Sequence, residues 1–326
     1  MTPIRILLAA MLALAAFPGD AQERTLTILV GAPAGSPADA IAHAVARELK
    51  VTMGMKIVVD NKPGKGGHAA AEALRAAAAD GTTILIAPET LICIYPAAGQ
   101  EIGYQPFRHF MPVTQAAKSP FVLAVAKDLP AKTVAEYLKW AAVNGDKAVF
   151  GSPAAGSPPH FFGMVLAENA GIKLKHAAYD NSAALMADLA GGKLVAAVDT
   201  LANVLAQHRA GKVRILAVSG AKRSALLPAV PTFTEEGLKD PGGEGWYAFF
   251  APFSTPKVVL ERLSGSIRAA LKSPEAGALL AKQGLEATGT QTYELRAIVH
   301  ADYVRWSPAA KASGFTVLDT PNLLIH

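Results

Sequence analysis

An α/β fold of two doubly wound lobes joined by a crossing hinge is what the sequence predicts, on three observations. Short apolar runs of strand length alternate with helix-length segments almost from end to end. This is the pattern of βα units whose helices cover both faces of parallel sheets. A turn near the start of the chain is echoed near its middle: residues 31–40 read Gly-Ala-Pro-Ala-Gly-Ser-Pro-Ala-Asp-Ala, and residues 151–160 read Gly-Ser-Pro-Ala-Ala-Gly-Ser-Pro-Pro-His. The composition is 51% hydrophobic and 17% charged over 326 residues, enough apolar material for two ordinary cores and too much for disorder.

The elements follow in order. Arg5 stands ahead of an apolar run from Ile6 to Phe17, and Gly19 and Ala21 are small residues at the −3 and −1 positions of a cut after Ala21. That is the plan of a cleavable secretory signal peptide, since the run is too short to span a bilayer comfortably. Strands are expected at 25–30, 56–60 and 82–87, with helices at 37–50 and 67–79 between them. A linker-like stretch with Pro96, Gly99, Gly103 and Pro106 leads to a strand at 121–126. Thr133 with Glu136 forms a capping box for the next helix. Further βα units occupy 148–170, 176–190 and 195–210, and a strand follows at 214–218. After a return loop rich in proline and glycine come a strand at 246–251, helices capped by Thr255 and Ser273, and a last helix from Tyr293 to Ala312.

In each half of the echo a Gly-Ser-Pro follows a strand and opens a helix. Serine suits the N-cap and proline the first helical position. Unpaired amides and the helix dipole then make such a helix start a candidate anion seat, and ligands of open α/β sheets sit beyond the carboxyl ends of the strands. Two facing seats, one per lobe, would grip one anion.

With a single cysteine, Cys93, no internal disulfide is available, and a buried small apolar role is expected for it. The net charge of +5 is unchanged when residues 1–21, with one Arg and one Asp, are removed. Lysines and arginines are scattered, with no basic run or interleaved aromatics of a nucleic-acid surface. No serine has the two glycines of a nucleophile elbow, and no His-Glu-x-x-His pair is present. Gly64-Lys65-Gly66-Gly67-His68-Ala69 fits a loose dinucleotide pattern with Glu89 23 residues after Gly66, but Asn61, Lys62 and Pro63 separate it from its strand. A nucleotide-dependent enzyme is therefore a remote alternative, and neither a cofactor nor a metal is expected.

Together these segments resemble a known family. In order, they are Pro33 to Asp39, Val59 to Gly67, Pro112-Val113-Thr114, Gly151 to His160, Tyr179, Asp188 to Gly192, Asp199, Ala221 to Ser224, Pro231-Thr232, Glu236-Gly237 and Trp246. The chain looks like the Bug-type (TctC-type) extracytoplasmic solute receptors of tripartite tricarboxylate transporters. The resemblance implies a type II-like periplasmic binding protein fold, a periplasmic location, a Venus-flytrap closure over a small carboxylate, and delivery to integral membrane permease subunits by a monomer. It carries ligand contacts to Gly35, Ser36 and Asp39 in the first lobe and to Ser152, Gly156, Ser157 and His160 in the second, with Tyr179 and Asp199 nearby. Thr90, just past a strand end, offers a further hydroxyl. Asp39, as a capping acid, and Asp199, as a helix cap, also have structural readings. Tyr179-Asp180-Asn181 departs from the family's frequent Tyr-Lys-Gly. Lobe one is expected at residues 22–117 and 228–326 and lobe two at 118–227, with crossings near 115–120 and 219–228. A sensor that reports its ligand to a signalling system remains the alternative to transport.

Overall fold

The computed structural model describes residues 25–97, 102–239 and 243–312; the expected signal peptide lies outside them. The first lobe is built on β1 (Thr25–Val30), flanked in parallel by β2 (Lys56–Asn61) and β3 (Thr83–Pro88). Between these strands run α1 (Pro37–Met53) and α2 (His68–Ala76). Strand β1 is apolar at four of its six positions, and continuously so from Ile28 to Val30, where helices cover both faces, as buried parallel strands require. Helix α1 starts on the Ser36 cap with Pro37 behind it and stops at Gly54, whose φ of 60° is the left-handed conformation that ends helices.

The chain then enters β4 (Phe110–Ala126), a 17-residue strand that belongs to both lobes. Its first part, to Pro120, pairs antiparallel with β9 (Glu244–Pro252). Its second part, from Phe121, lies between the antiparallel strands β7 (Ala196–Thr200) and β8 (Val213–Val218). Only the part from Phe121 was expected as strand. Pro112 and Pro120 conceal the rest, because proline is normally kept out of sheet interiors, and the register slips beside Pro112. The sheets are thus mixed rather than wholly parallel: β9 runs antiparallel to β3, and β4 to its strand neighbours.

The second lobe continues with β5 (Val149–Ser152), parallel to both β7 and β6 (Lys175–Ala178). Its helices are α3 (Val134–Asn144), α4 (Pro158–Asn169), α5 (Ser182–Ala190) and α6 (Leu201–Arg209). After β9 the chain adds α7 (Lys257–Leu271), α8 (Pro274–Lys282), the short β10 (Glu286–Ala287) on β4, and α9 (Thr292–Ala312). Ser273 caps α8 as expected, accepting from the Ala276 amide at 3.1 Å. Thr255 does not cap α7: that helix begins at Lys257 after Pro256, and the buried Thr255 hydroxyl has no partner.

One hydrophobic cluster runs from Leu74 and Leu85 of the first lobe through Phe121 and Trp246 to Phe150 and Phe162 of the second, and it includes Trp306 of α9. Two buried serines pin the crossing. Ser119 donates to the Gly284 carbonyl at 2.9 Å and accepts from the Ala202 amide at 3.0 Å. Ser219 donates to the Gly243 carbonyl and accepts from the Phe121 amide, both at 2.9 Å. Cys93 is buried, with its thiol directed at the Val299 carbonyl.

Candidate functional site

The two echoed loops fold alike. In the first, Gly35 has φ 81°, Ser36 is extended, and the Ser36 hydroxyl accepts from the Asp39 amide at 3.3 Å. Asp39 closes the turn, its Oδ2 accepting from the Gly35 amide at 2.8 Å and its Oδ1 from Asn61 Nδ2 at 2.9 Å. In the second, Gly156 has φ 70°, and the Ser157 hydroxyl accepts from the His160 amide at 3.4 Å. Here His160 closes the turn, its Nδ1 accepting from the Gly156 amide at 3.0 Å. Glycine is required at both points because each backbone is left-handed.

This closure corrects the expected chemistry of the two seats. The Gly35 and Gly156 amides, expected to face an anion, are bonded to the side chains of Asp39 and His160. Helix α4 opens on Pro158 and Pro159, neither of which has an N–H, and the next amide is used by the Ser157 cap. The second loop therefore provides a dipole and small side chains, but no amide at the first two helical positions.

The second loop is also held from below. Ser152 is fully buried, with its hydroxyl 2.8 Å from His176 Nε2 and 3.0 Å from the Ala154 carbonyl. The rings of His160 and His176 stack with centroids 3.7 Å apart. Burial pulls His160 down to about 4, and burial together with the neighbouring His160 pulls His176 down to about 3, so both rings are neutral at neutral pH. Tyr179 donates to Asp188 at 3.2 Å, and burial and that carboxylate push its hydroxyl up to about 12.

The space between the lobes is a cleft of about 230 Å³. From the first lobe it is bordered by Gly66, Glu89, Thr90 and Tyr95, and from the second by Pro153, Ser157, Ser182 and Asp199, with Phe121, Trp246 and Tyr247 at the crossing. Of the sequence-expected residues, Thr90, Ser157 and Asp199 line it; Gly35, Ser36, Asp39, Ser152, Gly156, His160 and Tyr179 are not among its lining residues. Helix starts converge on it: Ser157 caps α4, Ser182 opens α5, Thr200 precedes α6, and Gly66 lies just ahead of α2. The caps at Gly67 and Thr200 make no side-chain hydrogen bond; at α6 the buried Ser119 hydroxyl instead accepts from the Ala202 amide of the first turn.

Two cleft acids are buried. Asp199 Oδ1 accepts from the Thr200 amide at 2.7 Å and from Asn203 Nδ2 at 2.8 Å, while Oδ2 has no aligned partner. Burial raises Asp199 to about 6, against the hydrogen bonds of Asn203, Ser182 and Thr200. Glu89 accepts from the Trp306 indole through Oε1, and its Oε2 has no partner. Burial and nearby Asp302 push Glu89 well above the carboxylate range. The sequence places Glu89 only in a dinucleotide pattern and Gly66 in that pattern and in the family-like segment Val59 to Gly67, and it does not single out Asn203 or Thr200. Their common signal is position at or just beyond the carboxyl ends of β2, β3 and β7, where open α/β sheets bind ligands.

The tripartite tricarboxylate transporter family receptor profile, TctC, matches residues 41–315. A UPF0065 protein from the tcbD-tcbE intergenic region of Pseudomonas sp. strain P51 is 34% identical over 297 residues, 89% of this chain and 85% of that one. Protein BugT of Bordetella pertussis is 26% identical over 292 residues, 89% of this chain and 90% of its own. Among solved structures, Rpa4515 of R. palustris with adipate is 29% identical with a TM-score of 0.81, covering 90% of this chain and 99% of that one. The periplasmic binding protein BugD is 29% identical with a TM-score of 0.79, covering 90% of this chain and 98% of its own. With a profile match over most of its length and the two-lobed frame of those structures, the chain belongs to the TctC family of tripartite tricarboxylate transporter receptors and has the periplasmic binding protein fold.

Proposed function

We propose that this protein is exported through a cleavable signal peptide, captures a small carboxylate between its lobes in the periplasm, and presents it to the membrane permease subunits of a tripartite tricarboxylate transporter. The observation that carries the reading is the convergence of helix starts from both lobes on one cleft. Helix N-termini bear partial positive charge, and several around one small space favour an anion there without a basic side chain. The adipate held by the R. palustris relative is a ligand of the same chemical kind. The protein acts by binding and not by catalysis.

The lobes are those expected at residues 22–117 with 228–326 and at 118–227, except that the second boundary moves on to about 239, because the Phe233 amide donates to the Val218 carbonyl, Glu236 accepts from the Val134 amide and Asn169 donates to the Lys239 carbonyl. Ligand binding shifts an open–closed equilibrium towards the closed form, which the permease recognises. Thr90, Ser157 and Asp199 touch the ligand or its waters. Gly35, Ser36, Asp39, Gly156 and His160 act as the frames of their loops. A thermal-shift screen of mono-, di- and tricarboxylates tests this. A ligand at 100 times its Kd should stabilise the fold by about 2.7 kcal/mol. No response to any carboxylate would overturn the reading. Loss of uptake of the identified acid in a deletion strain separates transport from sensing.

A further inference from the structure

Away from the cleft, lobe one carries a second cavity, of about 470 Å³, which shares no lining residue with the cleft. Its floor is buried and apolar, with Ile92, Phe110, Phe250 and Val299. Its rim includes Phe107 and Phe253, left 49% and 52% exposed. Apolar side chains exposed singly need no explanation, but two aromatic rings gathered at one hollow mark a contact site. Phe107 is held there by Tyr303 of α9, with ring centroids 5.1 Å apart and the rings nearly perpendicular, so its exposure belongs to the folded arrangement.

The charges beside this cavity are of one sign. Arg296 and His300 border it, and no acid is among its described lining. They stand four residues apart on α9 and so share one face of the helix. Both are exposed, and among the described residues neither side chain has a hydrogen bond or an ion pair. The cleft is the reverse: its described lining holds Glu89, Asp180 and Asp199 and no lysine, arginine or histidine.

A lipid bilayer or a second copy of the chain would cover the rim and leave the hollow beneath it unfilled, forfeiting packing contacts. A neutral apolar molecule would fill the hollow and leave both donors unused. A short dicarboxylate would leave the aromatic wall wet and set a second charge against it. An anion with a long apolar body meets every part: its body covers the rings, and a planar guanidinium pairs with its carboxylate. The volume is that of a small-molecule site.

We propose that this cavity is a second binding site, for a monocarboxylate with an alkyl chain of medium length. The chain lies against Phe107, Phe110, Phe250 and Phe253, and the carboxylate pairs with Arg296, with His300 as a further donor. The site is independent of whatever the cleft holds.

The test titrates octanoate, 1-octanol and butyrate by calorimetry into the full mature chain. Octanoate should bind at least about tenfold more tightly than octanol, the scale of one charge-assisted contact. Butyrate, four methylenes shorter, should bind at least about fiftyfold more weakly than octanoate, since each buried methylene is worth up to about fourfold. R296E should weaken octanoate at least about tenfold and change octanol less than about twofold. Should R296E fail to fold, R296Q carries the same test, with a loss of at least about fivefold. Ser157→Trp, which blocks the cleft, should leave octanoate binding unchanged. Octanoate binding that is lost in Ser157→Trp and kept in R296E belongs to the cleft and overturns the second site. Equal binding of octanol and octanoate overturns the carboxylate assignment. No octanoate binding overturns the proposal and leaves the reading of the cleft standing. Sedimentation with phosphatidylglycerol vesicles, or self-association, that is lost in F107S and unaffected by octanoate gives the face to a membrane or a second copy and likewise overturns it.

Discussion

The two Gly-Ser-Pro loops share a left-handed glycine, an extended serine cap and a proline at the helix start, yet different residues close them. Asp39 closes the first and ties it to Asn61 at the end of β2, so that loop is fastened to its own sheet. His160 closes the second and stacks on His176, whose ring meets the buried Ser152. The first loop is held by a carboxylate and the second by two neutral imidazoles. Only the second reaches the cleft, through Ser157. The same local sequence thus produces the same turn, while the residue four places after the glycine decides what the turn is anchored to.

The largest expected effect separates the loops by ligand binding. Ser157→Trp fills the cleft and should reduce affinity for the identified ligand at least a hundredfold by calorimetry, whereas Ser36→Trp, outside the cleft lining, should change it less than threefold. Equal losses would erase the distinction.

Next comes stability in urea. Asp39→Ala leaves the Gly35 amide without its acceptor and takes one of two from Asn61 Nδ2, which keeps the Ala32 carbonyl, and should cost about 2–3 kcal/mol, as removal of a buried charged acceptor does. His160→Ala, which removes one acceptor and a stacked ring in a less buried place, should cost about 1–2 kcal/mol.

The third contrast is with pH. His160 and His176 are held neutral in the fold but titrate near 6.5 when unfolded, so between 6.5 and about 4 the unfolded chain binds more protons and stability falls as pH drops. Asp199, raised to about 6 from 3.8, acts oppositely and loses stability as pH rises through that range. Replacing both histidines with Gln should therefore flatten the acid-side decline seen in denaturation curves, and D199N should steepen it. The smallest effect is at the helix start: Pro159→Ala restores an amide to α4 and should raise anion affinity about twofold to fivefold, the worth of one helix-terminal charge contact.

Much of the frame was legible because local chemistry dictates it. Ser36, Ser157 and Ser273 cap helices by patterns that need no distant partner. β1 and β7 are short buried apolar strands, readable as such. The crossing strand was only half visible, since Pro112 and Pro120 read as breaks until their register beside β9 is known. The site was less legible. Which amides are free depends on whether Asp39 and His160 fold back, and the cleft role of Glu89 depends on β3 ending beside a helix more than two hundred residues later in the chain, where Trp306 meets it. Thr255 misled because a serine- or threonine-proline pair signals a cap, but here the hydroxyl stays inside and Pro256 takes the cap position.

The tryptophans have a practical consequence. The chain has 3 of them, and two donate their indole N–H to acids at the back of the cleft, Trp306 to Glu89 and Trp246 to Asp302. Indole emission responds to the charge and polarity beside the ring. A guest that hydrogen-bonds Glu89 or presses on Trp246 would therefore shift the protein's own fluorescence, and the molecule would signal its occupancy with no dye attached.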